Sequence, residues 1–173
     1  MKQREFSINP VLVKTREDYN KNVLLEEDCS DNPFDQFEAW LIAAMEKDST
    51  YANAMTLSTV MPSGMPDSRI VLLRNISYGG FTFFTNYKSG KGKQIESNSQ
   101  ASILFFWKEL ERQVKVQGNI RFLPVQESDD YFKSRPFESQ VGAWASKQSQ
   151  VVKDRQTLDE AYKKELDNYA GKA

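Results

Sequence analysis

The sequence of 173 residues contains no histidine and only one cysteine, Cys29. The missing histidine excludes Ser-His-Asp and Cys-His nucleophilic machinery, the HExxH zinc motif and the usual imidazole acid–base catalyst. A single cysteine excludes an internal disulfide, a CxxC redox pair and a cysteine-rich zinc site, and we expect no bound metal. What remains is carboxylate, lysine, arginine or tyrosine chemistry, or chemistry supplied by a bound cofactor.

The sequence also lacks long apolar runs and a strong excess of charge. No stretch approaches the roughly 20 apolar residues of a membrane-spanning helix, and the N-terminus MKQREFSINP has no apolar signal segment. A net charge of −1 gives no general attraction to nucleic acid or membrane, so any anion site must be local. With 39% hydrophobic and 27% charged residues, the composition predicts a soluble, cytoplasmic globular protein.

The apolar pattern begins only after the first 30 residues. We therefore expect an N-terminal arm over residues 1–30 and a single domain over residues 31–173, a length that suits one core. Asp31-Asn32-Pro33 is typical of a helix start, and the apolar residues that follow recur at helical spacing. These features predict a helix over about residues 33–46.

From residue 53 the pattern changes to that of short strands bounded by turn residues. At least five strands are predicted, over residues 53–60, 69–74, 81–86, 101–107 and 113–123. Three further helices are predicted, over about residues 88–98, 127–134 and 153–169. Antiparallel strands joined mainly by short turns favour a barrel or a sandwich over a βαβ fold. The predicted fold class is mainly β with flanking helices.

Two neighbouring stretches contain enough cationic side chains for an anion site. Arg69 starts the strand RIVLLR, and Lys88, Lys91 and Lys93 surround the N-terminal turn of the helix predicted in KSGKGK. Backbone N–H groups and the helix dipole favour an anion there, and arginine can bind phosphate with two parallel hydrogen bonds. SGKGK lacks the spacing of a phosphate-binding loop, so local sequence alone favours a solvated basic loop.

A second candidate site lies in YFKSRPFESQVGAWASKQS, residues 131–149. Tyr131 and Arg135 lie on one face if this segment is helical, and with Ser139 they could converge on a second phosphate. Gln113, at the start of a strand, can offer both a donor and an acceptor to the edge of a heterocycle. The alternatives are a capped helix with a surface arginine and an ordinary surface glutamine, and each is favoured when its segment is taken alone.

Taken together and in order, these strings resemble the pyridoxine/pyridoxamine 5′-phosphate oxidase family. The matching strings are DNPFDQFEAWL, RIVLLR, FxFFTNYxSxKGxQIxxN, LFFWxxLERQVxVxG and SDxYFxSRPxxSQxGAWASxQS. The resemblance extends from about Arg16 to about Arg155, and LERQV and SRPxxSQxGAWAS are its most specific parts. It implies a homodimer of antiparallel split β-barrels with FMN bound between the subunits.

The resemblance also implies a reaction, the oxidation of pyridoxamine or pyridoxine 5′-phosphate to pyridoxal 5′-phosphate in vitamin B6 metabolism. A hydride would leave C4′ of the substrate for N5 of the flavin, and dioxygen would reoxidise the flavin and release hydrogen peroxide. The cofactor carries this redox chemistry, so the protein's tasks would be stacking, orientation and anion binding. No catalytic residue is implied.

Binding residues are carried over from the resemblance by position. The implied FMN-binding residues are Arg69, Ile70, Val71, Leu72, Leu73, Arg74, Phe84, Thr85, Lys91, Gln113, Gln148 and Ser149. The implied substrate-binding residues are Arg74, Tyr131, Arg135 and Ser139. Within the first set, Arg69 and Lys91 would bind the FMN phosphate and Gln113 would contact the flavin. Arg16 and Tyr19 align with an arm that can fold over the substrate.

Three departures from the family pattern matter. Arg74 stands where the family usually has lysine, which keeps the charge but changes its geometry. Gly90 stands where a second basic residue usually precedes Lys91, so one phosphate contact would be missing. Family members also continue with a Trp-Gly-Gly segment and an Arg-Leu-His-Asp-Arg segment that this sequence lacks. The stop within a polar helix favours a truncated sequence over a shortened homologue with an incomplete site.

Two other functions remain open from the sequence. One is a non-catalytic module that binds flavin or pyridoxal phosphate and lacks the C-terminal half of the site. The other is a related split-barrel flavoprotein that reduces its flavin with a nicotinamide cofactor, although the SRPxxSQ string argues against it.

Overall fold

A computed structural model gives the fold and describes residues 18–21, 23–77 and 79–170. In these ranges the α-helices are α1 (Pro33–Lys47), α2 (Gly90–Ser97), α3 (Val125–Ser134), α4 (Phe137–Ala145) and α5 (Arg155–Tyr169). The strands are β1 (Ala54–Val60), β2 (Pro66–Leu72), β3 (Asn75–Ser77), β4 (Gly80–Thr82), β5 (Gln100–Trp107) and β6 (Arg112–Asn119). Two short 3₁₀ helices span Glu26–Asp28 and Lys108–Leu110.

Four of the strands form one antiparallel sheet in the order β2-β1-β5-β6, and β3 pairs with β4 in a separate hairpin. The register places Leu57 of β1 opposite both Arg69 of β2 and Ile103 of β5, and Ile103 lies opposite Val116 of β6. The prediction of a mainly antiparallel fold with flanking helices is therefore confirmed.

One face of the sheet, which we call the inner face, forms the core against α1. Alternate residues of β1 and β5 point to this face and are buried, as the two-residue period of a strand requires. Phe37 of α1 packs its ring 4.9 Å from that of Phe105 and 5.7 Å from that of Trp107. Trp107 also donates its Nε1–H to the carbonyl oxygen of Ala52, at 2.8 Å, so its polar atom is satisfied inside the core.

The opposite face of the sheet, the outer face, carries apolar side chains that no described element covers. Ile70 of β2 is 64% exposed and Phe106 of β5 is 57% exposed. Leu72 and Leu104 lie on the same face by the register of the strands. A groove of about 450 Å³ runs over this face between Ile70, Leu104 and Phe106 on one side and the end of α1 on the other.

The first and last helices begin where their capping residues predict. Asn32 accepts a hydrogen bond from the backbone N–H of Phe34 at 3.0 Å, and Pro33 occupies the first turn. Asp154 accepts from both the side chain and the backbone N–H of Thr157, each at 2.7 Å, and these bonds lower the pKa of its carboxyl group. The helices predicted over residues 33–46 and 153–169 are confirmed to within two residues.

Several sequence predictions differ from the structure, including the strand predicted over residues 69–74, which spans Pro66–Leu72. The strand predicted over residues 81–86 ends at Thr82, because the carbonyl of Asn86 instead accepts hydrogen bonds from Ser89 in a turn before α2. The strand predicted over residues 113–123 ends at Asn119. Helix α4 was not predicted: Pro136 precedes the helix, and its carbonyl accepts from the N–H groups of Ser139 and Gln140.

Two further sequence predictions concern membrane spans and the division into domains. Among the helices of the described ranges, none combines the length and apolar character that a membrane span requires. The division into an arm over residues 1–30 and one domain over residues 31–173 stays a prediction.

Two substitutions on α1 test the assignment of its buried face. Phe37→Ala removes a ring that is 3% exposed, and we expect it to lower the free energy of unfolding by about 3–5 kcal/mol. Ile42→Ala on the exposed face of the same helix should change it by less than about 1 kcal/mol. Urea unfolding followed by tryptophan fluorescence measures both values. Equal losses for the two variants would contradict the orientation of α1.

Candidate functional site

Arg69 lies on β2 and points to the inner face, where both terminal nitrogens of its guanidinium group are held by protein acceptors. Nη1 donates to the carbonyl oxygen of Leu57 at 3.2 Å and to Oγ1 of Thr59 at 2.5 Å. Nη2 donates to Oδ2 of Asp67 at 2.5 Å and to Oε1 of Gln94 at 3.0 Å. The side chain is only 18% exposed, so its position is fixed by two strands and by α2.

The four side chains of Thr59, Asp67, Arg69 and Gln94 form one hydrogen-bonded unit, which we call the Arg69 cluster. Gln94 donates its Nε2–H to Oδ2 of Asp67 at 2.8 Å, and Thr59 donates its hydroxyl to Oε1 of Gln94 at 2.5 Å. The hydrogen bond from Gln94 and the charge of Arg69 lower the pKa of the Asp67 carboxyl group, so it is ionised at neutral pH. The cluster therefore contains one cation and one carboxylate.

The N-terminus of α2 lies beside this cluster and is built by a tight turn. Ser89, which is buried, accepts from the backbone N–H of Gly92 at 3.2 Å and donates to the carbonyl of Asn86 at 2.6 Å. A Cβ atom on Gly92 would lie 2.1 Å from the carbonyl oxygen of Tyr87, so only glycine fits there. Lys91 lies in the first turn of α2, where the leading backbone N–H groups have no acceptor within the helix.

Lys91 joins α2 to a segment distant in sequence. Its Nζ donates to Oε1 of Gln148 at 2.9 Å, and a Cβ atom on Gly90 would lie 3.6 Å from the side chain of Ser149. Ser149 has a positive φ of 64°, the left-handed conformation that few non-glycine residues adopt. Three chain segments that the sequence predicted to bind FMN therefore meet at Arg69, Lys91 and the pair Gln148-Ser149.

The electrostatics of this meeting point favour an anion. Burial lowers the pKa of Lys91, and the positive charge of Arg69 lowers it further, while Asp67 opposes the shift. Two cations that repel each other and a helix N-terminus would all be stabilised by a bound anion. We refer to Arg69, Lys91 and the first turn of α2 as the anion site.

The structure brings together only some of the residues that were predicted to bind the substrate. The rings of Phe84 and Tyr131 stack with centroids 3.6 Å apart, and the guanidinium of Arg74 lies 5.9 Å from the centroid of Tyr131. Arg135 instead lies over the ring of Phe132, at 5.6 Å from its centroid. Thr85 follows Phe84 in the loop before α2 and is half-buried.

The expected common face for Tyr131 and Arg135 is not formed. Helix α3 ends at Ser134, and Arg135 follows it with extended backbone, because Pro136 disfavours helical conformation in the residue before it. Ser139 is half-buried in the first turn of α4. In the ranges that the structure describes, no hydrogen bond or ring contact joins Arg135 or Ser139 to Tyr131.

The strand RIVLLR divides its side chains between the two faces of the sheet. Val71 and Leu73 point inward with Arg69, whereas Ile70 and Leu72 point outward. Gln113 lies on the outer face of β6, opposite Phe106. It is three strands away from β2, or about 14 Å at the usual strand spacing. One chain alone therefore does not bring Gln113 to the anion site.

Residues of the N-terminal arm contribute little to the described geometry. Arg16 lies outside the described residues, and Tyr19 is highly exposed.

The sequence analysis did not predict that Thr59, Asp67 and Gln94 belong to this site. Asp67 and Arg69 share a face by the alternation of a strand, which is a usable signal, but nothing in the sequence indicated that Gln94 of a later helix lies beside them.

Comparison with known proteins gives a consistent set of relatives. A sequence model of one family, described as pyridoxamine 5′-phosphate oxidase, matches residues 41–165. A pyridoxine/pyridoxamine 5′-phosphate oxidase of Neisseria gonorrhoeae is 48% identical over 143 residues, which are 83% of this chain and 68% of the relative. One of the same name from Paraburkholderia xenovorans is 47% identical over 148 residues, which are 86% of this chain and 70% of the relative.

Two solved structures have similar folds. PhzG from Burkholderia lata 383, solved in complex with tetrahydrophenazine-1-carboxylic acid, superposes with a TM-score of 0.79 at 26% identity and covers 85% of this chain and 74% of its own. A pyridoxamine 5′-phosphate oxidase-related, FMN-binding protein from Nostoc punctiforme has a TM-score of 0.61 at 18% identity, with 76% and 73% covered. The predicted fold class, a split β-barrel, is confirmed by these likenesses.

A pair of glycine substitutions tests the tight turn at the anion site. Gly92→Ala places a Cβ atom against the backbone of Tyr87, and we expect it to lower the free energy of unfolding by about 1–3 kcal/mol. Gly118→Ala on β6 meets no atom within 4 Å and should change it by about 0.5 kcal/mol or less. Denaturant unfolding measures both, and an unchanged Gly92→Ala would refute the turn.

Proposed function

Because the chain belongs to the pyridoxamine 5′-phosphate oxidase family, we propose that it binds FMN and oxidises pyridoxamine or pyridoxine 5′-phosphate to pyridoxal 5′-phosphate. Dioxygen is the electron acceptor in this proposal and is reduced to hydrogen peroxide; with the amine substrate, water also releases the nitrogen as ammonia. The observation that supports it most is the meeting of Arg69, Lys91 and Gln148 from three separate segments. The cytoplasmic location expected from the sequence is part of the same proposal.

The anion site has the chemistry that the phosphate of FMN requires. Two cationic side chains and the N-terminus of a helix lie near one another, and the burial that lowers the pKa of Lys91 also strengthens any ion pair it forms. The residues present therefore fit a phosphate monoester.

When bound, FMN would supply the two-electron redox chemistry, and the residues of the chain would bind and orient both ligands. Arg74 would offer its charge to the phosphate of the vitamin beside the stacked pair of Phe84 and Tyr131. Arg135 and Ser139 would join that site only after the segment between α3 and α4 moves toward Tyr131.

A second copy of the chain would complete the flavin site. Gln113 lies on the outer face, away from the anion site, and the same face carries the exposed side chains of Ile70 and Phe106. Covering an apolar face of this kind is a common reason for association. We therefore propose a homodimer in which the outer faces approach each other and Gln113 of one subunit serves the flavin held by its partner.

The binding claim is tested with the purified chain and FMN. We expect a yellow protein that quenches flavin fluorescence, and Lys91→Met should weaken FMN binding by about tenfold or more through loss of one charge-assisted hydrogen bond. Lys93→Met, two residues further along α2 and exposed, is the matched control and should bind FMN like the unaltered chain. Equal affinities of the two variants would argue against the anion site.

The catalytic claim needs a separate measurement. Adding pyridoxamine 5′-phosphate to the FMN-loaded protein should produce pyridoxal 5′-phosphate and hydrogen peroxide in equal amounts. FMN binding without either product would leave a flavin-binding module and refute the oxidase. Oxidation of NADPH without any B6 vitamer would instead favour a flavin reductase.

The lowered pKa of Lys91 predicts a pH dependence. Its positive charge is lost at a lower pH than that of an ordinary lysine, so FMN affinity should already fall as the pH rises toward the usual lysine range. Riboflavin has the same ring without the phosphate, so the ratio of the two affinities isolates the phosphate contribution. Lys91→Arg, which stays charged, should keep this ratio constant over the same range. A constant ratio in the unaltered protein would contradict the assignment.

A further inference from the structure

The guanidinium group of Arg69 has no terminal N–H left for a ligand. Arginine has five N–H donors, and the four on Nη1 and Nη2 are all used by acceptors within the chain. Two-pronged binding of phosphate uses a pair of these donors. A phosphate that binds Arg69 in this way must therefore replace one of the present acceptors.

Only one of the four acceptors can be replaced easily. The carbonyl of Leu57 is part of the β1 backbone, and the side chains of Thr59 and Gln94 are buried. Asp67, by contrast, lies on the edge strand β2 and its side chain is 36% exposed. If its carboxylate turns into solvent, it frees Nη2 of Arg69 and Nε2 of the buried Gln94, and a phosphate oxygen that takes its place can accept from both.

Asp67 also opposes a bound phosphate by its charge. Its Oδ2 lies 2.5 Å from Nη2 of Arg69, and its charge acts on Lys91 as well, so it neutralises part of the positive potential of the anion site. A phosphate dianion at this site is attracted by two cations and repelled by the negatively charged carboxylate of Asp67. Removing the carboxylate charge would leave the two cations to the phosphate alone.

We propose that Asp67 is an internal competitor for Arg69, which lowers the affinity of the site for phosphate-bearing ligands and makes Asp67 a determinant of how tightly FMN is held. This inference rests on the proposed FMN site. It assigns to Asp67 a role opposite to that of a simple positioning residue, whose neutralisation would weaken binding. The sign of the effect therefore separates the two roles.

Asp67→Asn tests the proposal, because the amide keeps the shape of the side chain and an oxygen for Nη2 of Arg69. We expect it to bind FMN about tenfold more tightly than the unaltered chain, with riboflavin affinity changed by less than about twofold. The inhibition constant of inorganic phosphate, measured by competition with FMN, should also be lower for this variant. Fluorescence titration at fixed ionic strength measures all three.

Two further variants complete the experiment. Glu96→Gln on the exposed face of α2 changes the net charge by the same amount and should bind FMN like the unaltered chain. Asp67→Ser is a second uncharged variant and is measured beside Asp67→Asn. Either variant, if it folds, shows whether loss of the Asp67 charge tightens FMN binding. Tighter FMN binding by Glu96→Gln as well would assign the effect to net charge and overturn the role of Asp67.

The outcomes separate the inference from the proposed function. FMN binding by the unaltered chain that is equal to or tighter than that of Asp67→Asn overturns the inference and leaves the FMN site in place. An equal gain for riboflavin also overturns it, because riboflavin has no phosphate. An unaltered chain that does not bind FMN at all contradicts the proposed function, and the inference with it.

Discussion

The hydrogen bonds of Arg69 hold the candidate site together. They connect β2 to β1 through Leu57 and Thr59, and to α2 through Gln94. Because α2 also presents Lys91 and its first N–H groups, the position of one guanidinium fixes the relation between the sheet and the helix N-terminus. Breaking this connection would disperse the anion site while leaving the core around Phe105 intact.

The sheet imposes a second constraint on function. Side chains alternate between its faces, so a strand that binds a ligand through Arg69 must direct its neighbour Ile70 away from it. The same rule places Gln113 on the outer face. A flavin site that needs both Arg69 and Gln113 is then most simply built from two chains, and the apolar outer face offers the surface on which they would meet.

Local signals explain what the sequence could predict. Asn32 and Pro33 are enough to mark the start of α1, and the alternation of apolar and polar residues predicts the central strands. The pair Lys91 and Gln148 was expected from family strings alone, because no local pattern joins residues 57 apart. Pro136 determines both the start of helix α4 and the extended backbone of Arg135. Asp67 and Gln94 meet only through tertiary packing.

The central claim is that FMN is held by its phosphate at Arg69 and Lys91. A crystal structure of the protein with FMN tests it most directly. Our account predicts phosphate oxygens within about 3.2 Å of the guanidinium of Arg69, of Nζ of Lys91 and of the first N–H groups of α2. A phosphate bound elsewhere on the chain, with Arg69 and Lys91 contacting only protein or water, would contradict it.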